Sequence, residues 1–258
     1  MTFAMIGVGA MGGATVQGLL QLPVFQPHDI IVANPTKEKL KPFEAKGVVA
    51  TSDNRQAASQ ADVVCVCVKP WLVETVLNEI RNVLRPREQM LIIIAAGISP
   101  EQIREWLPDA PPFFLLIPNI AIAQLQSMTF IVPVGATPQQ TAFVKGLFDG
   151  MGTSLLTDYQ HLAAGTALAS CGLAYAMRYI RAAAEGGVEL GFKADVAKDI
   201  VMQTVQGAVT LLRHSGLHPE SAIDLVTTPG GVTIKGLNEM EHNGFTSAVI
   251  CGLKASVK

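Results

Sequence analysis

Residues 7–12 read Gly7-Val8-Gly9-Ala10-Met11-Gly12 and directly follow the short apolar run 2–6. A G-x-G-x-x-G motif between a strand and a helix, here predicted over 12–21, is typical of dinucleotide-binding sheets. Its first glycine permits a tight turn, its second lets the backbone approach a pyrophosphate, and its third allows the helix to pack closely on the strand. We therefore predict that a pyrophosphate binds at the N-terminus of this helix, in contact with Ile6 and residues 7–12.

The first 155 residues alternate short apolar runs with helical patterns. Strands are predicted at 2–6, 30–33, 63–68, 90–95, 113–117 and 130–134, and helices at 12–21, 36–46, 71–84, 99–106 and 138–149. The apolar runs are mostly continuous rather than interrupted by polar residues, which is typical of strands buried on both faces of a parallel sheet.

From residue 158 onwards the pattern contains no convincing strand. Helical stretches are predicted at 158–186 and 194–213, with shorter ones near 220–226, 231–242 and 245–255. The sequence therefore predicts the α/β fold class, with an N-terminal doubly wound Rossmann-type sheet domain over 1–154 and an all-α C-terminal domain over 155–258.

The composition excludes several classes of protein. Of the 258 residues, 49% are hydrophobic and 16% are charged, the net charge is −2, and the mean hydropathy is +0.35. Such a chain has ample apolar surface to fold, and its slight negative charge argues against a nucleic-acid partner. The four cysteines have neither disulfide nor zinc spacing, so we expect reduced thiols and no metal site.

Two uncharged stretches, 3–20 and 159–177, raise the question of a membrane partner. The first is rich in glycine, and no Lys or Arg precedes Lys37, so the positive region of a secretory signal is missing. The second is dominated by small residues, which is more typical of a helix buried by protein. We therefore expect no membrane segment and a cytoplasmic location.

The end of the second predicted strand bears on the choice of nucleotide. Enzymes that use NAD usually place Asp or Glu here to bind the ribose 2′-hydroxyl. Residues 32–37 instead read Val32-Ala33-Asn34-Pro35-Thr36-Lys37. Asn34 and Thr36 can donate to a 2′-phosphate and Lys37 can add charge, so NADP is favoured over NAD. Alternatively, Asn34-Pro35 is only a turn and both nucleotides are accepted.

One segment is far more specific than the rest. Residues 227–237 read Thr-Thr-Pro-Gly-Gly-Val-Thr-Ile-Lys-Gly-Leu, followed by Met240-Glu241, and this segment resembles the C-terminal signature of pyrroline-5-carboxylate reductases. The family's other features match in order: IGVGAMG at 6–12, Val68-Lys69-Pro70, 95–99, Pro118-Asn119 and 170–175. The resemblance covers essentially the whole chain. One departure is Leu115, where members commonly carry Arg.

The resemblance implies an activity and an assembly. The activity is reduction of the cyclic imine 1-pyrroline-5-carboxylate to L-proline with NADPH, the final step of proline biosynthesis, with NADH possible as the donor. The assembly is a homodimer, or a higher homo-oligomer built from dimers, whose helical domains interlock. A stripe of small residues at Ala163, Ala167, Cys171 and Ala174 agrees with close helix packing in such an interface. The active site would then be completed between one chain's sheet domain and helical residues near the interface.

The resemblance also implies further cofactor contacts. Asn54 matches the adenosine contact, although an Asn after Asp53 could equally cap a helix. Lys69 matches a position along the nicotinamide ribose, although a lysine in such a place is often merely solvated. The remaining predicted cofactor contacts are Val68, Pro70, Ala95 and Ala96.

The signature segment is predicted to bind the substrate. It lies at a loop-to-helix junction, where backbone N–H groups can bind a small carboxylate. We assign Thr228 to that carboxylate and Thr233, the predicted catalytic residue, to the ring nitrogen. The other predicted substrate contacts are Gly230, Gly231, Val232 and Asn119. The alternative role for both threonines is ordinary helix capping.

Two other functions compete with this interpretation. A β-hydroxyacid-dehydrogenase-like oxidoreductase has a similar layout but needs a lysine in its first long C-terminal helix, and no lysine lies between Lys145 and Lys193. A non-catalytic NADP-binding redox sensor would not need the intact signature segment.

Overall fold

The computed structural model of the chain describes residues 1–257, which form two compact units: residues 1–170, and residue 171 to the end of the described chain. The first unit is built on one eight-stranded sheet, and the second consists of helices. The predicted fold class, a doubly wound sheet followed by an all-α region, is confirmed.

The sheet has the strand order β3-β2-β1-β4-β5-β6-β7-β8. The strands are β1 (Phe3–Ile6), β2 (Ile30–Ala33), β3 (Val49–Thr51), β4 (Val63–Val66), β5 (Met90–Ile93), β6 (Phe113–Ile117), β7 (Ser127–Val134) and β8 (Gly152–Leu156). All pairings among β1–β6 are parallel, whereas β7 is antiparallel to β6 and parallel to β8. The strand order reverses between β1 and β4, and in open sheets a crevice forms outside the carboxyl ends of the strands at such a point.

The first strand shows why the apolar runs are continuous. Phe3 and Met5 belong to the core on one face of the sheet, whereas Ala4 and Ile6 belong to the core on the other face. Successive side chains of a strand point to opposite faces, so a strand covered on both sides needs an apolar residue at every position.

Helices cover both faces of the sheet. They are α1 (Ala10–Leu19), α2 (Lys41–Glu44), α3 (Asn54–Gln60), α4 (Val73–Ile80), α5 (Pro100–Trp106), α6 (Pro138–Asp149) and α7 (Leu162–Gly165). A π-helical turn (Thr166–Cys171) follows α7. Residues 155–170 pack with the first unit, since Leu162 and Ala169 join the core on one sheet face. The division into functional domains after residue 154 stays a prediction.

Three elements of the first unit were not predicted: β3, β8 and α3. The two strands are at the edges of the sheet, where side chains are largely exposed and the apolar signal of a buried strand is absent. The helix spans seven residues and buries only Ala57 and Ala58. The antiparallel direction of β7 was not foreseen either, because an apolar run carries no information about strand direction.

The second unit contains α8 (Gly172–Glu189), α9 (Ala194–Ser215), α10 (Pro219–Leu225), α11 (Val232–His242) and α12 (Phe245–Ala255). The helices α8 and α9 approach closely, because a Cβ atom on Gly187 would lie 3.0 Å from the Cβ of Ala197. Among residues 1–257, no helix is both long and apolar enough to cross a membrane.

Candidate functional site

Two glycines of the 7–12 turn are required by the protein's own packing. Gly7 has a φ of +96°, and a Cβ atom there would lie 2.3 Å from the carbonyl oxygen of Cys67 at the end of β4. A Cβ atom on Gly12 would lie 1.9 Å from the carbonyl oxygen of Gly7. Any side chain at either position would therefore force the turn, α1 and β4 apart.

Gly9 differs from these two glycines. It has an ordinary φ of −72°, and a Cβ atom there would meet no protein atom within 4 Å. It is also the N-cap of α1, a helix with no side-chain cap and no acidic residue in its first turn. The free N–H groups of that turn therefore face the open space beside Gly9. This arrangement suits a bound pyrophosphate.

A cavity of about 650 Å³ opens over this turn, a volume within the range of small-molecule and cofactor sites. It lies at the carboxyl ends of β1, β2, β4, β5 and β6. Of the predicted cofactor residues, those that line it are Ile6, Gly7, Gly9, Ala10, Met11, Gly12, Asn34, Thr36, Asn54, Val68, Lys69, Pro70, Ala95 and Ala96. Val8 is the exception, because it is buried beneath the turn.

The charged residues of the described cavity wall are all positive. Two lysines, Lys39 and Lys69, contribute to it, and no Asp or Glu does among the described residues. Two cysteines lie in or beside this wall as neutral thiols, since burial raises the pKa of Cys67 to about 12 and also raises that of Cys65. Thiols in this state are poor nucleophiles and poor metal ligands. The wall therefore suits an anionic ligand held by cations and backbone dipoles.

At the end of β2, Asn34 is held on two sides. Its backbone N–H donates to the carbonyl oxygen of Thr51 over 3.2 Å, and its Oδ1 accepts from the backbone N–H of Thr36 over 2.9 Å. Its Nδ2 donates no hydrogen bond to any residue within 1–257, so this donor is available to a ligand.

Lys37, the residue that the sequence offered as a source of charge here, does not line the cavity; Lys39 lines it, and Lys37 lines a different surface hollow. Residues Lys37–Lys39 form one turn of 3₁₀ helix. With three residues per turn, residues three apart lie on the same side, so Thr36 and Lys39 share a side that Lys37 does not.

Asn54 also lines the cavity, at the first position of α3. Its Nδ2 donates to Oε2 of Glu79 over 2.8 Å. The alternative that Asn54 caps the helix is wrong, because Asp53 is the cap and its Oδ1 accepts from the backbone N–H groups of Arg55 and Gln56. Asn54 is therefore left to face the cavity with its amide oriented by Glu79.

The far end of the cavity includes Pro118, Ile120, Thr166 and Ser170. The two hydroxyl residues belong to the π-helical turn, a distortion that is frequent at functional sites. The Oγ of Ser170 donates to the carbonyl oxygen of Pro118 over 3.1 Å. Neither hydroxyl was assigned to the site from the sequence, and that of Ser170 is positioned by a carbonyl 52 residues earlier in the chain.

Asn119, a predicted substrate contact, lies behind this wall and is almost fully buried. Its Oδ1 accepts from the backbone N–H of Ala121 over 3.0 Å, and its Nδ2 donates to the carbonyl oxygen of Ala169 over 3.1 Å. Its backbone N–H donates to the Oγ of Ser127 over 3.1 Å. In this structure Asn119 therefore ties a loop to the π-helical turn, and direct contact with substrate stays a prediction.

The signature segment belongs to the second unit and connects α10 to α11. Gly230 has a φ of +71°, and the N–H of Gly231 donates to the carbonyl oxygen of Thr228 over 2.9 Å. A Cβ atom on Gly231 would lie 2.4 Å from the Oγ1 of Thr228, so this glycine leaves room for that hydroxyl.

Neither Thr228 nor Thr233 caps a helix. Gly231 is the N-cap of α11, which has no side-chain cap and no acidic residue in its first turn. Thr228 and Thr233 are exposed, and neither side chain hydrogen-bonds to another residue of the described chain. Val232, the first residue of α11, is 85% exposed. The segment thus presents two free hydroxyls and the N–H groups of a helix start, a combination that can bind a carboxylate.

The sequence matches two family models. The model described as "Pyrroline-5-carboxylate reductase dimerisation" matches residues 159–258, and that described as "NADP oxidoreductase coenzyme F420-dependent" matches residues 2–106.

Individual proteins match over nearly the whole chain. Pyrroline-5-carboxylate reductase 1 of Dictyostelium discoideum is 36% identical over 98% of this chain; the chain spans about half of that relative's length (48%). Pyrroline-5-carboxylate reductase 2 of the same organism is 34% identical, over 99% of this chain and 90% of its own length. A crystal structure of 1-pyrroline-5-carboxylate reductase from Streptococcus pyogenes is 30% identical with a TM-score of 0.89, over 100% of this chain and 96% of that one.

Proposed function

The chain belongs to the pyrroline-5-carboxylate reductase family, as its sequence predicts, and on this premise we propose that it reduces 1-pyrroline-5-carboxylate to L-proline with NADPH. This makes it an oxidoreductase of the final step of proline biosynthesis. The observation that carries the proposal is the cavity of the first unit, which collects nearly all the predicted cofactor residues and has lysines but no carboxylate in its described wall.

Each part of NADPH finds suitable residues in the cavity. The open space at Gly9 and the uncapped start of α1 would hold the pyrophosphate. Asn34 and Thr36 would bind the 2′-phosphate, and Asn54 the adenosine. Lys69, Ala95 and Ala96 would lie along the nicotinamide riboside. The bound cofactor supplies a hydride to the imine carbon.

The signature segment would hold the substrate. The N–H groups at the start of α11 and the hydroxyl of Thr228 would bind the carboxylate, with Gly230, Gly231 and Val232 shaping the loop around it. The Oγ1 of Thr233 would accept a hydrogen bond from the protonated ring nitrogen. A protonated imine is already electrophilic, so the reaction demands no metal ion and no strong general acid.

We also assign this chain a homodimer, or a higher homo-oligomer built from dimers, and a cytoplasmic location. The match to a dimerisation model over 159–258 supports the dimer. Exposed apolar side chains on α8 and α9 support it as well, among them Tyr179, Ile200 and Leu211. No observation favours either competing function: no lysine lies between Lys145 and Lys193, and the signature segment is intact.

The proposal is tested by following NADPH oxidation at its absorbance band after adding freshly prepared pyrroline-5-carboxylate. We expect substrate-dependent oxidation, with one proline formed for each NADPH consumed. A β-hydroxyacid offered with NADP serves as the control and is expected to be inert. Oxidation no faster than background would contradict the proposal, and NADP binding without turnover would instead favour the redox sensor.

A further inference from the structure

We propose that Lys39 is the residue by which this chain selects NADPH over NADH, through an ion pair with the 2′-phosphate of the cofactor. The proposal rests on the proposed function and deepens it. It adds a full positive charge beside a group to which Asn34 and Thr36 offer only neutral hydrogen-bond donors.

The position of Lys39 is set by the backbone of the turn after β2. Its N–H donates to the carbonyl oxygen of Thr36 over 3.1 Å, which closes one turn of 3₁₀ helix. Since residues three apart in such a turn lie on the same side, the side chain of Lys39 leaves the turn beside that of Thr36. Asn34, Thr36 and Lys39 all line the cavity and form its corner at the end of β2.

The electrostatics of this corner favour a phosphate. Lys39 is exposed and forms no salt bridge with any residue of 1–257, so its ammonium group is available to a ligand. The free Nδ2 of Asn34 supplies a neutral donor in the same corner. The phosphate can accept charge-assisted hydrogen bonds from Asn34 and Lys39 alike, but only Lys39 adds the attraction between two full opposite charges, so we expect the cation to dominate recognition of a dianion.

The other lysines nearby do not offer the same contact. Lys69 follows β4, on a different part of the cavity wall. Lys37 belongs to the same 3₁₀ turn as Lys39, carries the same charge, and lines a separate hollow together with Lys41 and Glu44. Lys37 is therefore a matched control: it contributes the same net charge to the turn without reaching the cavity.

The test compares Lys39→Met with Lys37→Met in the full-length protein, using titration calorimetry with 2′,5′-ADP and with 5′-AMP. We expect Lys39→Met to weaken binding of 2′,5′-ADP about tenfold or more and to leave 5′-AMP binding unchanged, since only the first probe carries the 2′-phosphate. Lys37→Met should bind both probes as the wild type does, and Lys39→Arg should retain most of the affinity for 2′,5′-ADP. In steady-state assays, Lys39→Met should lower the ratio of kcat/KM for NADPH to that for NADH by a similar factor.

Wild-type affinity of Lys39→Met for 2′,5′-ADP would overturn the assignment. An equal loss of 2′,5′-ADP affinity in Lys37→Met would also overturn the assignment. The loss would then come from the reduced net charge of the turn and not from a direct contact of Lys39. The probes bind without pyrroline-5-carboxylate, so a protein that fails to reduce this imine but loses 2′,5′-ADP affinity in Lys39→Met would refute the proposed function and retain the role of Lys39.

Discussion

In the first unit, large side chains such as Phe3 and Phe114 are fully buried, whereas in the described part of the second unit only Ala197 and Ala222 are buried. The first unit therefore has a core on each face of its sheet and exposes few large apolar residues. The second unit exposes many, and Leu190 retains 83% of its accessible surface. The first unit can therefore be stabilised by its own chain, whereas the second has apolar helix faces that need another protein surface to be buried.

The two candidate binding regions also differ in how firmly their residues are held. In the first unit, ligand contacts come from a turn that is fixed by packing, with Gly7 and Gly12 pressed against backbone carbonyls. In the second unit, Thr228 lies on the short connection between α10 and α11, Thr233 lies in the first turn of α11, and both are exposed. We therefore expect substitutions in the first unit to act on cofactor binding, and substitutions in the second to act on assembly and on turnover.

The largest expected effect is on assembly. Ile200 lies in α9 and is 46% exposed. If the exposed face of α9 forms the dimer interface, Ile200→Asp places two unpaired carboxylates in that interface, one from each chain. The dissociation constant of the dimer should then rise about a thousandfold or more. Light scattering at low micromolar concentration should then give the mass of one chain, 27.4 kDa, where the wild type gives twice that value.

The control for this experiment is an exposed valine of the first unit. Val24 is 57% exposed in the segment between α1 and β2. Val24→Asp should leave the dimer mass unchanged, because Val24 lies outside the helices that are proposed to form the interface. A dimer that persists in Ile200→Asp, or that is lost equally in Val24→Asp, would break the contrast between the two units.

The second expected effect is on turnover. Thr233→Ala removes the hydroxyl proposed to contact the imine nitrogen, and the loss of such a bond costs about 1–3 kcal/mol, or roughly ten- to hundredfold in rate. If the bond contributes more in the transition state than in the ground state, kcat should fall, whereas loss of uniform binding would raise KM alone. Thr233→Ser should retain much of the activity, and the dissociation constant of NADPH should not change in either variant. Normal kcat and KM in a folded Thr233→Ala enzyme would refute the catalytic assignment.

The third effect separates cofactor binding from folding within the first unit. In Gly9→Ala the added methyl meets no protein atom, so the melting temperature should not change. The methyl does occupy the space assigned to the pyrophosphate, and the dissociation constant of NADPH should rise on the order of tenfold, or about 1.4 kcal/mol. In Gly12→Ala the methyl would lie 1.9 Å from the carbonyl oxygen of Gly7, so stability should fall together with affinity. An unchanged NADPH affinity in Gly9→Ala would show that the pyrophosphate binds elsewhere.

Much of the first unit could be predicted from its sequence. The predicted ranges 30–33 and 113–117 coincide with β2 and β6 because a strand buried on both faces needs apolar residues throughout. The glycine turn was predicted because Gly7 and Gly12 are needed for close backbone packing and Gly9 leaves open space for a ligand. The edge strands β3 and β8 were missed because half of their surface is exposed and carries no such pattern.

The parts of the site that could not be predicted depend on geometry that a linear pattern does not contain. Thr36 and Lys39 line the cavity and Lys37 does not, because residues three apart in a helical turn share a side, and the sequence pattern does not show which side of this turn faces the cavity. The Ser170 hydroxyl is placed by the carbonyl of Pro118, 52 residues earlier in the chain. Contacts of this kind are known only once the fold is known.

The smallest expected effect compares two hydroxyl-to-carbonyl hydrogen bonds, one in each unit. In the first unit, the Oγ of Ser170 donates to the carbonyl oxygen of Pro118 in a partly buried contact that joins distant segments. In the second unit, the Oγ1 of Thr204 donates to the carbonyl oxygen of Ile200 one turn earlier in α9, and the contact is exposed. Ser170→Ala should cost about 1 kcal/mol and lower the melting temperature by about 2–4 °C, because it leaves a carbonyl without its partner. Thr204→Ala should be neutral or slightly stabilising, because a hydroxyl that bonds back to its own helix contributes little. Equal melting temperatures for the two variants would show that the long-range bond of Ser170 adds nothing to the first unit, and that the two units differ in apolar burial alone.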